Sequence, residues 1–223
     1  MLQVQYKNFN IKNLRKNLLK YGIVVIKNCE FNSPKHFSNL LKDFELFNVK
    51  SFNLNDNVQI LNHNQYLGNE NWDWHNDRCY TNEECIGTAL LNIKNGHLSP
   101  TWIMDMRSYP KSFYKKYQNI TSHFVHSDLL NPYLNQESLP SLKEKSISRN
   151  TVIDHPYTKE KLLYASPFNN TINVSDIVDY ANKHCYKHNW EENDLLIWDN
   201  ISTMHKRFKF EGERKMWRIQ FLI

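Results

Sequence analysis

Two potential metal ligands, His75 and Asp77, constrain this chain most strongly, because they need a further ligand that is distant in sequence. One residue separates them, so on a β-strand their side chains leave the same face. His205 follows Leu195–Asp199, an apolar run that is typical of a buried strand. A fold that uses all three residues must therefore bring an early strand and a late strand side by side.

This combination of ligands indicates a particular kind of metal site. Two neutral imidazoles and one carboxylate on one side of a divalent metal leave its other side open, which is the arrangement of non-haem iron(II) oxygenases. A His-x-Asp pair alone is weak evidence for such a site. The hypothesis therefore depends on the motifs that accompany the pair.

Composition favours a packed globular protein and excludes several classes. The chain has 223 residues, of which 40% are hydrophobic and 13% aromatic, so we expect residues 1–223 to form one domain. The net charge of +5 comes from scattered Lys and Arg, which favours a solvated surface over nucleic-acid binding.

We expect no membrane contact, because the sequence has no long apolar run and no leader pattern. The four cysteines show neither zinc-like pairing nor a disulfide framework, and this fits a cytoplasmic protein. The sequence indicates no oligomeric state.

Periodicity and turn signals predict helices and strands in alternation along the chain. The predicted helices are residues 11–21, a helix capped by Ser33, residues 108–117 and residues 174–187. The predicted strands are residues 22–27, 87–93, 101–106, 151–153, 161–164, 194–198 and 216–223.

Two polar stretches and one histidine pair need separate interpretations. Residues 53–71 are expected to be a loop that leads to the metal strand, and residues 126–150 a lid or a disordered loop. His184 and His188 are spaced i, i+4 on the predicted helix, as in some zinc sites. We favour surface histidines here, since no third ligand accompanies them.

Six segments in chain order together resemble the taurine dioxygenase-like family of iron(II)- and 2-oxoglutarate-dependent oxygenases. The resemblance spans nearly the whole chain. The segments are the early strand Gly22-Ile-Val-Val-Ile, the metal motif Trp74-His75-Asn76-Asp77, the strand that begins at Thr101, His155-Pro156 through Leu163-Tyr164, Trp190 through Asp194 with Trp198-Asp199-Asn200 and His205, and the closing Arg214-Lys-Met-Trp-Arg218.

The resemblance implies an α+β fold with a double-stranded β-helix (jelly-roll, cupin-like) core and flanking helices. It implies that His75, Asp77 and His205 bind Fe(II) and leave positions for 2-oxoglutarate and O2. Asn76 stands where the family usually has Thr and is expected to point away from the metal. Since Asp77 fills the position that a halide would need, oxygen insertion or desaturation is expected rather than halogenation.

Three further residues are implied to bind the cosubstrate or lie beside it. Thr101 and Arg214 would hold the distal carboxylate of 2-oxoglutarate, because a forked guanidinium and a hydroxyl suit a carboxylate. Arg218 would lie near the substrate or the metal-side end of the cosubstrate. Trp74, Trp190 and Trp198 are interpreted as core residues around the barrel.

The function that follows is oxidation, most often hydroxylation, of a C–H bond in a small, anionic or amino-acid-like molecule, with release of succinate and CO2. The alternative is a catalytically silent barrel that acts as a binding module, against which the intact ligands argue. Four aromatic residues flank the motifs and could line the substrate pocket, with core packing as the alternative for each: Tyr66, Trp72, Tyr80 and Phe168.

Overall fold

The structure is a computed structural model, and it describes residues 1–42, 50–51, 58–64, 68–82, 85–125, 146–167, 170 and 172–222. The α-helices within these ranges are α1 (Leu14–Tyr21), α2 (Pro34–Lys42), α3 (Lys111–Tyr117) and α4 (Ser175–His184). The strands are β1 (Leu2–Gln5), β2 (Ile23–Lys27), β3 (Lys50–Ser51), β4 (Gln59–Asn62), β5 (Trp72–His75), β6 (Cys85–Lys94), β7 (Thr101–Asp105), β8 (Thr121–Val125), β9 (Ser146–Asn150), β10 (Val152–Asp154), β11 (Lys161–Leu163), β12 (Tyr186–His188), β13 (Leu195–Asp199), β14 (Thr203–Arg207) and β15 (Lys215–Leu222). None of the described helices is long and apolar enough to cross a membrane.

Two main sheets form the core of the protein. The larger sheet has seven strands in the order β1-β2-β13-β6-β15-β3, with β4 also paired to β15. The smaller sheet has four strands in the order β12-β7-β14-β5. Two hairpin-like pairs, β8 with β9 and β10 with β11, complete the strand pairing.

Apolar residues fill three layers, because both main sheets are covered on both faces. Along β13, Leu195 and Ile197 pack in the layer that also holds residues of α1, while Leu196 and Trp198 face the other way. The inner layer joins residues of the larger sheet to Ile103 of β7, so it lies between the two sheets. A third layer packs β7 and β14 against α3 and α4. The near-continuous apolar runs that predicted buried strands arise from this burial on both faces.

A glycine turn connects α1 to the fully buried β2. Gly22 ends α1 at a φ of +70°, and its N–H donates to the Leu18 carbonyl at 2.7 Å. A Cβ at this position would lie 2.9 Å from Nη2 of Arg107, so both the backbone conformation and the space favour glycine. All five residues of Ile23–Lys27 are buried.

The interpretation of the two polar stretches needs correction. Residues 53–71 are not wholly a loop, because Gln59–Asn62 forms β4 and pairs with β15. Within residues 126–150, Ser146–Asn150 forms β9. The lid prediction otherwise falls on residues 126–145, which lie outside the described residues.

The prediction that His184 and His188 are surface histidines on one helix was wrong for His188. The helix ends at His184, and Tyr186–His188 forms β12 alongside β7. His188 is only 2% exposed, and its Nε2 lies 3.3 Å from Oδ2 of Asp194. Cys185 alone connects the two elements, so no glycine or proline marks the end of the helix in the sequence.

Candidate metal centre and active site

Three potential ligands meet where β5 and β14 pair. His75 and His205 are direct cross-strand neighbours, and their ring centroids lie 4.2 Å apart. The Nε2 atom of each histidine lies 3.8 Å from Oδ1 of Asp77. The three ligand atoms all lie within 4.8 Å of one another, so the group could hold a metal ion.

Asp77 is positioned by a distant asparagine rather than by the strand. The idea that His75 and Asp77 share a strand face was wrong, since β5 ends at His75 and Asp77 lies in the following turn. The Asp77 N–H donates to Oδ1 of Asn200 at 2.9 Å, and Nδ2 of Asn200 donates to the Asp77 carbonyl at 2.9 Å. These reciprocal bonds fix the turn against the β13–β14 connection.

Asn76 strengthens the same connection and points away from the ligands, as expected. Its Nδ2 donates to the carbonyls of Asn200 and Thr203, both at 2.7 Å. The side chain is buried, with 1% of the residue exposed. The two tryptophan-containing motifs are therefore joined by hydrogen bonds between Asn76, Asp77 and Asn200.

Both histidines are set up to be neutral ligands. Nδ1 of His75 lies 2.6 Å from the carbonyl of Asp73 and donates to it, so Nε2 carries the lone pair that binds a metal. Burial lowers the pKa of His75. Burial, followed by the effect of His75, lowers the pKa of His205 to about 3. Neutral imidazoles are the form that binds a divalent metal.

Asp77 is set up to be ionised. Burial by itself raises the pKa of Asp77, but His205, Arg218 and His75 outweigh it, and the pKa lies well below its usual value. The Thr88 hydroxyl donates to Oδ2 at 2.8 Å. This bond leaves Oδ1 directed at the two imidazoles, so the donor set fits the two-histidine, one-carboxylate pattern of iron(II) sites.

Thr101 lies in the same small sheet with one hydrogen bond still to give. Its hydroxyl oxygen accepts from Nε1 of Trp190 at 3.0 Å. A hydroxyl also carries one donor hydrogen, which is therefore available to a carboxylate. Trp190 thus orients Thr101, although the sequence suggested only a core role for this tryptophan.

Arg214 is a buried guanidinium without a counter-charge. The residue is 4% exposed, and its Nε and Nη2 atoms have no hydrogen-bond partner among the described residues. Burial, with a smaller contribution from Arg207, lowers its pKa to about 9. An unpaired buried charge is costly, so this guanidinium fits an anionic ligand.

Arg218 lies beside the metal ligand Asp77, and its guanidinium already donates hydrogen bonds to Gln59. Its Nη1 is 4.0 Å from Oδ1 of Asp77. Its Nε donates to Oε1 of Gln59 on β4 at 3.0 Å, and its Nη2 donates to the same oxygen. The guanidinium is therefore placed at the carboxylate side of the metal site, with about a quarter of the side chain (26%) exposed.

The four predicted substrate-contacting aromatics have different surroundings. The Trp72 ring lies 5.8 Å from the His75 ring, at the edge of the site. Tyr80 packs against the apolar layer that contains Trp74, on the helix-covered side of the small sheet. Tyr66 and Phe168 lie outside the described residues.

The sequence did not identify Thr88, Asn200 or Arg207 as residues of this site. Arg207 follows His205 by two positions on β14, so the two side chains share a face. That spacing was a readable signal. Thr88 and Asn200 could not be found this way, because they reach Asp77 through tertiary contacts.

Comparisons with known proteins agree with the family resemblance that the sequence motifs suggested. The model of the family described as "Taurine catabolism dioxygenase TauD, TfdA family" matches residues 4–220. Over a stretch of 50 residues the chain is 40% identical to the isocyanide synthase xanB of Aspergillus fumigatus. That match covers 22% of this chain and only 7% of the relative.

Solved structures confirm the predicted jelly-roll fold. AAD-2 in complex with Mn(II) and N-oxalylglycine has a TM-score of 0.75 at 16% identity, over 99% of this chain and 95% of that one. A putative alpha-ketoglutarate dependent 2,4-D dioxygenase from Burkholderia xenovorans has a TM-score of 0.74 at 17% identity, over 99% and 92% of the two chains. A taurine dioxygenase from the same organism has a TM-score of 0.71 at 14% identity, over 99% and 87%.

Proposed function

The chain belongs to the TauD, TfdA family of taurine catabolism dioxygenases, and from this premise we propose that it is an Fe(II)- and 2-oxoglutarate-dependent dioxygenase that hydroxylates a small anionic molecule. The observation that carries the proposal is the convergence of His75, Asp77 and His205, whose ligand atoms lie within 4.8 Å of one another. AAD-2, of the same fold, holds Mn(II) and the 2-oxoglutarate analogue N-oxalylglycine, which supports the choice of cofactor and cosubstrate. We also propose that residues 1–223 act as one oxygenase domain.

The three ligands hold the iron through Nε2 of each histidine and the carboxylate of Asp77. Bound iron, with 2-oxoglutarate and O2, supplies the oxidation of the C–H bond and the release of succinate and CO2. The protein keeps both imidazoles neutral by burial and keeps the carboxylate ionised through Thr88 and Arg218. It thereby presents the ligand set without any proton having to leave first.

Thr101 and Arg214 bind the distal carboxylate of 2-oxoglutarate. The guanidinium offers unpartnered donors, and the threonine hydroxyl has a hydrogen left to donate after accepting from Trp190. Both residues are buried, with 3% and 4% exposed, and charge-assisted hydrogen bonds are strong where water is excluded.

Arg218 supports an anionic substrate. Its guanidinium lies beside Asp77 and remains partly exposed, so it is placed to pair with a negatively charged group of a substrate. The Trp72 ring, 5.8 Å from the His75 ring, is proposed to contact the apolar part of that substrate. The match to the isocyanide synthase covers too little of that protein to indicate a substrate.

The alternative of a catalytically silent binding module is disfavoured by the site. Loss of activity in such a barrel would remove selection for its ligands, yet all three donors converge. Two donors of the buried Arg214, Nε and Nη2, have no partner among the described residues, and this supports the binding of an anion there.

The decisive experiment combines spectroscopy with turnover. Fe(II) and 2-oxoglutarate added anaerobically to the parent protein should give a weak visible charge-transfer band. The variants His75→Ala, Asp77→Ala and His205→Ala should each lose the band, and turnover should fall by at least about 1000-fold, since a metal with two ligands is held too loosely. Turnover is followed as succinate formation coupled to oxygen uptake with a panel of small acids.

Two exposed residues outside the ligand group serve as controls. His97→Ala and Asp179→Asn should keep the band and the turnover. Parent-like bands in all three ligand variants would overturn the metal assignment.

A further inference from the structure

We propose that Arg207 is a second cosubstrate-binding arginine, which shares the distal carboxylate of 2-oxoglutarate with Arg214 and Thr101. The inference rests on the proposed function, since it concerns the same pocket. It adds a residue and a source of cosubstrate specificity that neither the motifs nor the metal geometry assign.

The strand register places Arg207 directly beside Thr101. On β14, His205 pairs with His75 of β5, and Arg207 pairs with Trp72 of β5 on one side and Thr101 of β7 on the other. Side chains of directly opposed residues lie about 5 Å apart at their Cβ atoms. Arg207 and His205 are two positions apart and therefore face the same interior. Arg207 thus lies one step along the strand from the metal ligands, on the Thr101 side.

Arg207 and Arg214 both lie beside the ring of Phe210. The two guanidinium carbons lie 5.3 Å and 5.5 Å from the centroid of the Phe210 ring. Nη2 of Arg207 donates to the Glu70 carbonyl at 2.8 Å, which holds the side chain in this place. The two guanidinium charges repel each other, and the attraction of both to a bound anion offsets this repulsion.

A carboxylate can accept from both arginines and the threonine at once. Its two oxygens offer about four acceptor positions. Arg214 supplies Nε and Nη2, the two donors without a partner among the described residues, and Thr101 supplies one hydroxyl hydrogen. Acceptor capacity therefore remains for one donor from Arg207.

A comparison of two keto acids separates this role from a structural one. 2-Oxopentanoate matches 2-oxoglutarate except that a methyl group replaces the distal carboxylate. Loss of a residue that binds the distal carboxylate weakens 2-oxoglutarate binding but not 2-oxopentanoate binding. Loss of a residue that only fixes the Glu70 segment changes the affinity for both keto acids. Calorimetric titration of the Mn(II)-loaded protein measures both affinities without turnover.

The expected result is a selective loss of 2-oxoglutarate affinity. Arg207→Met should weaken 2-oxoglutarate binding by about 10- to 100-fold, as expected for a lost charge-assisted hydrogen bond, and change 2-oxopentanoate binding by less than about twofold. Arg207→Lys keeps the charge and should lose only about 3- to 10-fold. Lys209→Met is the matched control, because Lys209 is 62% exposed, two residues further along, and paired with Glu70. It should leave both affinities unchanged.

Each other outcome has a distinct meaning. Equal weakening of both keto acids, or no weakening, in Arg207→Met and Arg207→Lys overturns the role of Arg207. If Arg207→Met fails to fold, as judged by circular dichroism, Arg207→Lys alone decides by the ratio of the two affinities. If the parent protein does not bind 2-oxoglutarate at all, the proposed function fails, and the inference fails with it.

Discussion

Two buried cations, Lys27 and Arg214, have opposite surroundings in this protein. Nζ of Lys27 lies 2.7 Å from each carboxylate oxygen of Asp194 and 2.9 Å from Oε2 of Glu191. Burial lowers the pKa of Lys27, but these carboxylates outweigh it and leave the pKa above its usual value. Arg214 has no such carboxylate among the described residues, and burial lowers its pKa to about 9.

The difference distinguishes a charge that the fold satisfies from a charge that awaits a ligand. A buried ion pair that is closed within the protein contributes to a fixed structure, and breaking it is costly. A buried charge without a counter-charge raises the free energy of the ligand-free protein. Binding of an anion offsets this cost. We therefore interpret Lys27 as part of the scaffold, and we propose Arg214 as part of the cosubstrate site.

The largest effects should come from removing each cation in turn. Lys27→Met should lower the free energy of unfolding by about 3 kcal/mol, because it leaves the Asp194 carboxylate buried without its cation. Arg214→Met should raise it by about 1 kcal/mol in the metal-free protein, since it removes an unpaired buried charge. Urea denaturation of the metal-free protein without 2-oxoglutarate measures both changes.

An exposed ion pair provides the control for these two variants. Lys94 pairs with Glu213, and both side chains are more than half exposed, at 55% and 64%. Lys94→Met should change the free energy of unfolding by less than about 0.5 kcal/mol. Changes of the same sign for Lys27→Met and Arg214→Met would break the distinction between the two cations.

A smaller effect is expected when Arg214 is replaced by another cation rather than by an uncharged residue. Arg214→Lys should raise the half-saturating concentration of 2-oxoglutarate by about 30-fold and change the maximal rate by less than about threefold, because lysine keeps the charge but loses the fork. Steady-state kinetics at saturating substrate measures both quantities. Arg218→Lys should instead affect the use of the substrate, and the opposite pattern would exchange the two roles.

The smallest effect concerns Asp77, an anion that is partly satisfied by the protein. Thr88→Val keeps the shape of the side chain but removes the hydroxyl that bonds Oδ2, so metal affinity should fall by about 10-fold. Thr88→Ser keeps a hydroxyl and should stay within about threefold of the parent. Mn(II) titration by calorimetry is the measurement. Equal losses in the two variants would show that packing, not the hydrogen bond, holds Asp77.

Local sequence signals predicted the scaffold well. The run Ile23–Lys27 predicted a buried strand, and it is buried along its whole length because helices and the second sheet cover its two faces. The helix prediction failed beyond His184, where strand pairing with β7 determines the conformation of Tyr186–His188. The hydrophobic periodicity of a segment does not indicate that it pairs with a strand distant in sequence.

The sequence predicted only those site residues that belong to a recognised motif. The motifs suggested His75, Asp77 and His205 together, and the structure brings the three side chains together. The means of placing Asp77 was missed, because Asn200 bonds to it across 123 positions of sequence. Arg207 was missed although its spacing from His205 was readable, because its place beside Thr101 depends on the pairing of β14 with β7.

The register of β14 also limits how this protein can change over evolutionary time. His205 and Arg207 leave one face of the strand about 6.7 Å apart, which is two residue steps. Insertion or deletion of a single residue between them would turn Arg207 to the opposite face and bring the wrong side chain inward. If the proposed roles hold, the spacing along β14 between the iron ligand and the carboxylate-binding arginine sets the length of the keto acid that fits. Changes in the loops around the site leave this spacing unaltered, so substrate preference can change while the cosubstrate stays the same.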